Sequence, residues 1–267
     1  TTGLTEGKHC SVCDEVLVAQ TVVNALGHTV VVDNAVAPTC TTTGLTEGKQ
    51  CTVCNVITVP QTEVAMLHAF AKAGDVRYGT LEDAIAAAQA GEVVTLLDNI
   101  ELNAPLVITK ELVLDLAGFE IVYTSTTQGE AMITNRGVLT INDSVGTGVI
   151  NYNYVGAADS TYGKGNFTIS NQATLTVNGG KITIANLSSH AKYPIDNNSG
   201  NGDAVLTVNG GHLYNYNTSA IRMFCNSTTF VNSVTINGGL VEGYSAIWVQ
   251  NPGKNTVTAQ LTVNGGE

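Results

Sequence analysis

The sequence predicts a mainly β protein whose short strands stack in parallel turns, and three observations support this fold. A short phrase, LTIN or LTVNGG, recurs along the C-terminal half of the chain. Each copy alternates apolar and polar residues, which is typical of a strand with one buried and one solvated face. The composition agrees, because 28 glycines and only 12% charged residues suit strands and tight turns better than a helical bundle.

The recurring phrase places equivalent residues at regular intervals. Its asparagines follow one another at spacings of 36, 31, 28 and 27 residues. The asparagine column is Asn142, Asn178, Asn209, Asn237 and Asn264, and the outward threonine column is Thr140, Thr176, Thr207, Thr235 and Thr262. The predicted inward columns are Leu139, Leu175, Leu206, Val234 and Leu261; Ile141, Val177, Val208, Ile236 and Val263; Ile121, Ile150, Ile182, Leu213 and Val241; and Ile133, Ile169, Ile195, Ile221 and Ile247.

These columns predict a right-handed parallel β-helix with three strands per turn. No single turn can bury its apolar face alone, so each turn has to stack on the one before it. The Asn-Gly-Gly corners agree, since Asn and Gly tolerate left-handed backbone angles and stacked asparagines can hydrogen-bond as a ladder. An antiparallel β-sandwich is the alternative, but it gives no reason for identity at matching columns.

One helix is predicted ahead of the repeats, at about residues 80–90. Thr80 and Asp83 have the spacing of a capping box, and Gly91 supplies the end. Its apolar stripe is Leu81, Ala84, Ile85 and Ala88. We expect this helix to cap the first turn and hide an open sheet edge.

The N-terminal part is a tandem repeat of a different kind. TTGLTEGKHCSVC at 1–13 recurs as TTGLTEGKQCTVC at 42–54. A module of about 40 residues has too small a core to fold without a metal ion or disulfides. We therefore expect two small zinc-ribbon-like Cys/His modules, 1–39 (truncated at its start) and 40–74, followed by a capped β-helix at 75–267 that is incomplete at its C-terminus.

Two thiolates at Cys-x2-Cys spacing can hold one tetrahedral ion, and a complete site adds two ligands. The candidate metal ligands are Cys10, Cys13 and His28 in the first repeat and Cys40, Cys51, Cys54 and His68 in the second. Spacing does not decide whether Cys40 completes the second set or belongs to the first. Structural zinc explains the two histidines, because disulfides would not need them. Disulfides and a redox dithiol are the alternatives.

The predicted β-helix shows no cluster of catalytic carboxylates. β-Helices that cleave acidic polysaccharides concentrate carboxylates on one strand face, whereas the acids after residue 131 are scattered over different columns. The sequence thus predicts no enzyme, with a polysaccharide lyase or glycoside hydrolase as the alternative. Oxygen-bearing side chains at 196–203 make calcium conceivable, although no calcium-loop spacing is present.

Asp196, Arg222 and Trp248 are predicted outward neighbours of the isoleucine column, one per turn and about 4.8 Å apart. We expect Asp196 and Arg222 to form a salt bridge, with Arg222 against the Trp248 ring. The column is interpreted as a surface ladder that fixes the register of the turns. A glycan-contact strip, with Tyr214, Tyr216 or Tyr244 also stacking on sugars, and catalysis by Asp196 are the alternatives.

Charge argues against nucleic acid as a partner, and hydropathy argues against a membrane-spanning segment. The net charge of −11 and the pI near 4.7 argue against nucleic acid, because few basic side chains could replace phosphate counterions. No apolar run approaches about 18 residues, so no transmembrane segment is predicted. End-to-end association with other copies or flanking repeats, and glycans, are the partners we expect.

Two segments resemble parts of known surface proteins. DVRYGTLEDAIAAAQAGEVVTLLDNIEL and LVITKELVLDLAGFEI, within 75–121, resemble the opening of pectate-lyase-like β-helix regions in large secreted or wall-anchored bacterial surface proteins. TTGLTEGKHCSVC resembles the short Cys-rich modules that occur in tandem in such proteins. The resemblance implies an extracellular, cell-surface location and a role as a rigid stalk, an adhesin segment or a filament-forming module. It specifies no activity.

Overall fold

The computed structural model describes residues 2–156, 165–185, 192–253 and 256–267. Strands make up 52% of the described residues, which also contain one short helix, so the mainly β prediction is confirmed. The contacts divide the chain into two compact units, Thr1–Leu67 and His68–Glu267. No helix in the described ranges is long and apolar enough to cross a bilayer.

The first unit consists of short antiparallel strands. They are β1 (Gly3–Leu4), β2 (Lys8–His9), β3 (Val16–Val18), β4 (Val22–Val23), β5 (Val30–Asp33), β6 (Gly44–Leu45), β7 (Gly48–Cys51), β8 (Ile57–Val59) and β9 (Glu63–Val64). The two repeats share one pattern, since β1 pairs with β4 and β2 with β3, while β6 pairs with β9 and β7 with β8. In addition, β5 of the first repeat pairs antiparallel with β7 of the second.

The second unit begins with a hairpin and the helix and continues as a solenoid. Its elements are β10 (Ala71–Ala73), β11 (Val76–Tyr78), α1 (Leu81–Ala87), β12 (Val93–Leu96), β13 (Ile100–Leu102), β14 (Leu106–Ile108), β15 (Glu111–Asp115), β16 (Glu120–Ser125), β17 (Ala131–Asn135), β18 (Val138–Asn142), β19 (Val149–Tyr154), β20 (Asn166–Asn171), β21 (Thr174–Val177), β22 (Lys181–Ala185), β23 (Lys192–Asn198), β24 (Ala204–Val208), β25 (His212–Phe224), β26 (Val231–Ile236), β27 (Leu240–Gln250) and β28 (Thr258–Val263).

The strands after α1 stack as about five turns of a β-solenoid, which confirms the predicted parallel stacking. The first face is the parallel run β12, β15, β18, β21, β24, β26 and β28. The second contains β13, β16, β19 and β22, and the third contains β14, β17, β20 and β23. The long strands β25 and β27 belong to both later faces, because β25 pairs with β22 near its start and with β23 near its end.

The predicted columns are in register. Leu206 pairs with Leu175 on one side and Val234 on the other, and Thr207 pairs with Thr176 and Thr235 in the same way. Ile195 pairs with Ile169 and Ile221 on the third face, and the side chains of all three isoleucines are buried. The hydrophobic core therefore runs along the axis of the stack.

Two asparagine ladders run beside this core. The predicted ladder lies at the Asn-Gly-Gly corners, where each amide nitrogen donates to the preceding asparagine's oxygen at 2.8 Å, in the series Asn142, Asn178, Asn209, Asn237 and Asn264. The left-handed angle belongs to the second glycine alone, as at Gly211 (φ +85°). A second ladder, not predicted, is fully buried and links Asn135, Asn171, Asn197 and Asn232 at 2.7–2.8 Å.

The helix is confirmed, with slightly shorter bounds. The Thr80 hydroxyl accepts from the Asp83 backbone N–H at 3.1 Å, as a capping residue should. Leu81 and Ala84 are buried in the core. Contrary to expectation, the helix does not close the edge of the first face, because strand β10 pairs antiparallel with β12 and covers that edge.

Candidate functional site

His28, Cys51 and Cys54 form the one group among the described residues that could share a metal ion. Their ligand atoms all lie within 4.8 Å of one another, and the His28 Nδ1 is 3.2 Å from the Cys54 Sγ. Cys51 is 2% exposed, whereas His28 and Cys54 are exposed. The three residues line part of a cleft of about 500 Å³ in the first unit.

The two cysteines are brought together by the turn that joins β7 to β8. Asn55 adopts a left-handed angle (φ 58°), and its N–H donates to the Cys51 carbonyl at 2.9 Å. The Cys51 N–H in turn donates to the Val56 carbonyl at 2.9 Å. Asparagine tolerates this angle better than most residues, so the sequence favours a tight turn here.

The first repeat contains the same turn. Asp14 has a φ of 56°, and its N–H donates to the Cys10 carbonyl at 2.9 Å. The Cys10 N–H donates to the Glu15 carbonyl at 2.8 Å. Both Cys-x2-Cys pairs thus have one backbone conformation, but Cys10 and Cys13 belong to no three-ligand group in the described part of the chain.

His28 reaches the second pair because of strand pairing between the repeats. Val30, at the start of β5, pairs with Cys51 at the end of β7. The Thr52 N–H donates to the Thr29 carbonyl at 3.0 Å. These two contacts hold Thr29 and Val30 against the turn and place His28 beside the thiols.

The site lowers the pKa of Cys51 to about 6. The backbone N–H of Cys54 has the largest effect, followed by that of Val53, and the His28 side chain lowers the pKa further against an opposing effect of burial. The pKa of Cys10 is also lowered, mainly by the Val12 N–H. Burial instead raises the pKa of Cys225. Because the thiolate is the form that binds metal, Cys51 is already suited to ligation at neutral pH.

The other predicted ligands lie elsewhere. Cys40 is half-buried within the turn that is closed by a hydrogen bond from the Thr39 N–H to the Thr42 carbonyl, and it is outside the three-ligand group. His68 belongs to the second unit, where its Nε2 is 3.0 Å from an oxygen of Asp98. The observed group is therefore neither of the two that spacing suggested. The six cysteines, all within the described ranges, form no disulfide.

The column of Asp196, Arg222 and Trp248 has the predicted register, and the predicted salt bridge is present. Asp196 pairs with Arg222, which pairs with Trp248, and the Arg222 Nε donates to an Asp196 oxygen at 2.7 Å. The expected exposure is wrong, because Asp196 is 0% and Arg222 is 6% exposed. Only Trp248 of the three is half-exposed.

Aromatic rings cover the guanidinium of Arg222. Its central carbon lies 4.5 Å from the ring centre of Phe224, 4.6 Å from that of Phe167 and 5.1 Å from that of Tyr193. These rings take the place expected for Trp248, which packs on Tyr193 at 5.9 Å. Burial of this pair makes a salt bridge inside the fold, rather than the surface ladder that the sequence suggested.

A shallow cleft of about 290 Å³ lies on the second face of the solenoid. The Lys181 ammonium lies 4.7 Å above the Tyr214 ring, and Tyr216 is 79% exposed. Asn151 also lines the cleft, and its side-chain oxygen is buried without a hydrogen-bond partner among the described residues. Such a mixture of rings and polar groups is able to contact a sugar.

The loop considered for calcium uses its oxygens internally. Asn197 belongs to the buried ladder, and an Asp203 oxygen accepts from the Val231 N–H at 2.8 Å. One Asp196 oxygen accepts from Arg222 and the other accepts from the Asn198 amide at 3.2 Å. Calcium at this loop stays a prediction.

Comparison with known proteins assigns no family to the chain. No protein-family model matches it, and no curated protein and no solved structure shows significant similarity to it. The pectate-lyase-like and surface-protein resemblances therefore stay expectations from the sequence.

Proposed function

We propose that the chain is a structural and adhesive segment of an extracellular bacterial surface protein and acts as a rigid stalk. The observation that carries this proposal is the in-register stack, in which the apolar columns continue from turn to turn inside one core until the last strand, where Leu261 and Val263 are exposed. In such a solenoid each turn contacts its neighbours, so stability accumulates along the axis. A continuous stack of this kind suits a part that keeps two ends apart.

The two asparagine ladders support the same role. At one corner the amides are exposed and at another they are 0% exposed, yet both ladders bond each turn to the next. Bending the stack would have to lengthen these bonds together with the parallel backbone ladders. Stiffness along the axis follows from that shared geometry.

Single-molecule stretching of the chain between handles at residues 68 and 267 tests this role. We expect the solenoid to resist extension and then to lengthen in steps, each releasing about one turn of 27–36 residues. An Asn171→Ala variant should unfold at lower force, because Asn171 bonds the turns on both sides of it. Smooth extension at low force, without steps, would refute the stalk.

The enzyme alternative has a direct test. We expect no depolymerisation of acidic polysaccharides, since the Asp196 carboxylate is buried and held by Arg222. The assay compares the chain with an Asp196→Asn variant of similar shape. Product release by the chain that is lost in the variant would replace the stalk proposal with a lyase or hydrolase.

Glycan binding without turnover is a second candidate, favoured by two exposed tyrosines, of which Tyr216 lines the cleft. Tyr216 and Tyr244 are 79% and 88% exposed, which is unusual for rings that serve only packing. We expect Tyr216→Ala to abolish binding on a glycan array and Trp248→Ala to leave it unchanged. The opposite result would place glycan contact at Trp248, and no binding by the unmodified chain would remove this candidate.

We also propose that the first unit holds a structural zinc ion. Two thiols and one imidazole fit zinc, which prefers nitrogen and sulfur ligands, and the bound ion would cross-link the segments that carry them. Elemental analysis of protein purified without chelators should find zinc, and a thiol titration should find the cysteines reduced. Absence of zinc together with blocked thiols would select disulfides instead.

A further inference from the structure

We infer that one zinc site is built from two consecutive repeats: His28 of the first repeat is the third protein ligand beside Cys51 and Cys54 of the second, so that one zinc ion cross-links the two repeats. This inference rests on the zinc proposal above and assigns the ligands of that ion. It differs from a site built within each sequence repeat, in which His68 would serve Cys51 and Cys54.

The backbone is the first support. Strand β5 belongs to the first repeat by sequence, yet it forms a three-stranded sheet with β7 and β8 of the second. Four residue pairs join β5 to β7, from Val30 with Cys51 to Asp33 with Gly48. His28 lies just before this strand, so the pairing that orders β5 also delivers the imidazole to the second Cys-x2-Cys turn.

The donor atoms are the second support. The His28 Nδ1 is 3.2 Å from the Cys54 Sγ, and all three donor atoms lie within 4.8 Å. Ligands of one tetrahedral zinc ion, each about 2.0–2.3 Å from the metal, are spaced at distances of this order. The cleft beside them leaves room for a fourth ligand to approach.

The remaining cysteine pair and histidine give a stoichiometry. Cys10 and Cys13 have the same turn as the second pair but no third ligand within the described residues. His68 lies in the other unit, with its Nε2 at 3.0 Å from Asp98. A site shared between the two repeats therefore predicts one tightly held ion for this chain, whereas a separate site within each repeat predicts two.

Metal titration of the full chain with zinc, and with cobalt as a spectroscopic substitute, tests this assignment. We expect one ion per chain and a tetrahedral cobalt spectrum with thiolate bands. His28→Ala should weaken zinc binding about a hundredfold or more. Substituting a residue that only hydrogen-bonds to a metal ligand already weakens binding by about 10- to 100-fold, and loss of a ligand itself should cost at least as much. His68→Ala is the matched control and should leave both affinity and spectrum unchanged.

A second pair of variants separates ligation from folding. His28→Cys supplies another zinc ligand at the same position, so it should keep the ion and strengthen the thiolate bands of the cobalt spectrum. Cys51→Ser should lose the ion and Cys10→Ser should keep it. If His28→Cys behaves like His28→Ala, position 28 does not ligate and the inference fails.

The outcomes distinguish the inference from the zinc proposal. Loss of the ion in His68→Ala but not in His28→Ala would place the ligands within one repeat. The structural zinc proposal would then be correct, and the inference of a site shared between the repeats would be wrong. Two tightly bound ions per chain would also overturn the inference of a site shared between the repeats. No ion in the unmodified chain would remove both proposals, and the stalk proposal would stand on its own test.

Discussion

The two units of this chain hold their strands together in different ways. In the described residues of the first unit, Cys51 is the only apolar side chain that is buried, and many valines and leucines are exposed, including Leu26, Val30 and Val16. In the second unit one cluster of buried side chains runs from Ala71 to Val241. Sequence repetition is present in both, so repetition alone does not create a core.

The difference lies in what the repeat stacks upon. In the solenoid, strands of successive turns pair in parallel, so a repeated apolar residue meets its own equivalent and both are buried. In the first unit the described strands pair antiparallel and are all two to four residues long, which leaves little area to bury. A cross-link has to supply there what burial supplies in the solenoid.

Removal of the metal ion should have the largest effect, because we expect it to destabilise the first unit and not the solenoid. We expect a zinc chelator to abolish amide protection in residues 2–67 while leaving that of the solenoid unchanged, because a small metal site contributes its binding free energy to folding. Hydrogen exchange of the full chain, read unit by unit, measures both regions at once. Equal protection of the first unit with and without chelator would show that its strands need no ion.

Removing one charge of the buried pair should have the next largest effect. Asp196→Ala leaves the Arg222 guanidinium buried without its carboxylate, which we expect to cost about 3–5 kcal/mol of unfolding free energy. A double variant, Asp196→Leu with Arg222→Met, should recover most of this loss since neither charge remains. Urea unfolding of the solenoid gives the values, and a single-variant loss under about 1 kcal/mol would contradict the buried pair.

Truncation of a core side chain should lower the unfolding free energy by about 2–5 kcal/mol, whereas truncation of the neighbouring outward side chain should lower it little. Leu206 is 0% exposed and stacks between Leu175 and Val234, whereas Thr207 lies half-exposed on the other side of β24. We therefore expect Leu206→Ala to lower the unfolding free energy far more than Thr207→Ala. Similar losses for the two would mean that the inward and outward faces are misassigned.

The solenoid was predictable because equivalent positions in successive turns have the same surroundings and therefore carry similar residues at regular spacings in the sequence. The isoleucine column gave the register of the third face, and Asp196 with Arg222 followed from it. Their burial did not, because it depends on Phe167, Tyr193 and Phe224, which reach the pair from neighbouring positions. The buried ladder had a signal, since Asn135, Asn171 and Asn197 each lie two residues after a column isoleucine.

The metal group was only partly predictable from spacing. The sequence identified the ligand types and included His28, Cys51 and Cys54 among the candidates. It could not group them, because residue counts along the chain are the same whichever repeat β5 pairs with. Strand pairing between β5 and β7 decides the grouping, and two- to four-residue strands carry too little pattern to reveal their partners.

The two asparagine ladders offer the finest comparison within the solenoid. Asn171 is 0% exposed, and its amide donates to the Asn197 oxygen at 2.7 Å and to the Val205 carbonyl at 3.0 Å. Asn209 makes the same kind of ladder bond at 2.8 Å, but in contact with water. We expect Asn171→Ala to cost about 1–3 kcal/mol, because it leaves buried partners unsatisfied, and Asn209→Ala to cost about 1 kcal/mol or less. Urea unfolding of both variants decides whether burial, rather than the ladder bond itself, sets the contribution, and equal losses would assign it to the bond.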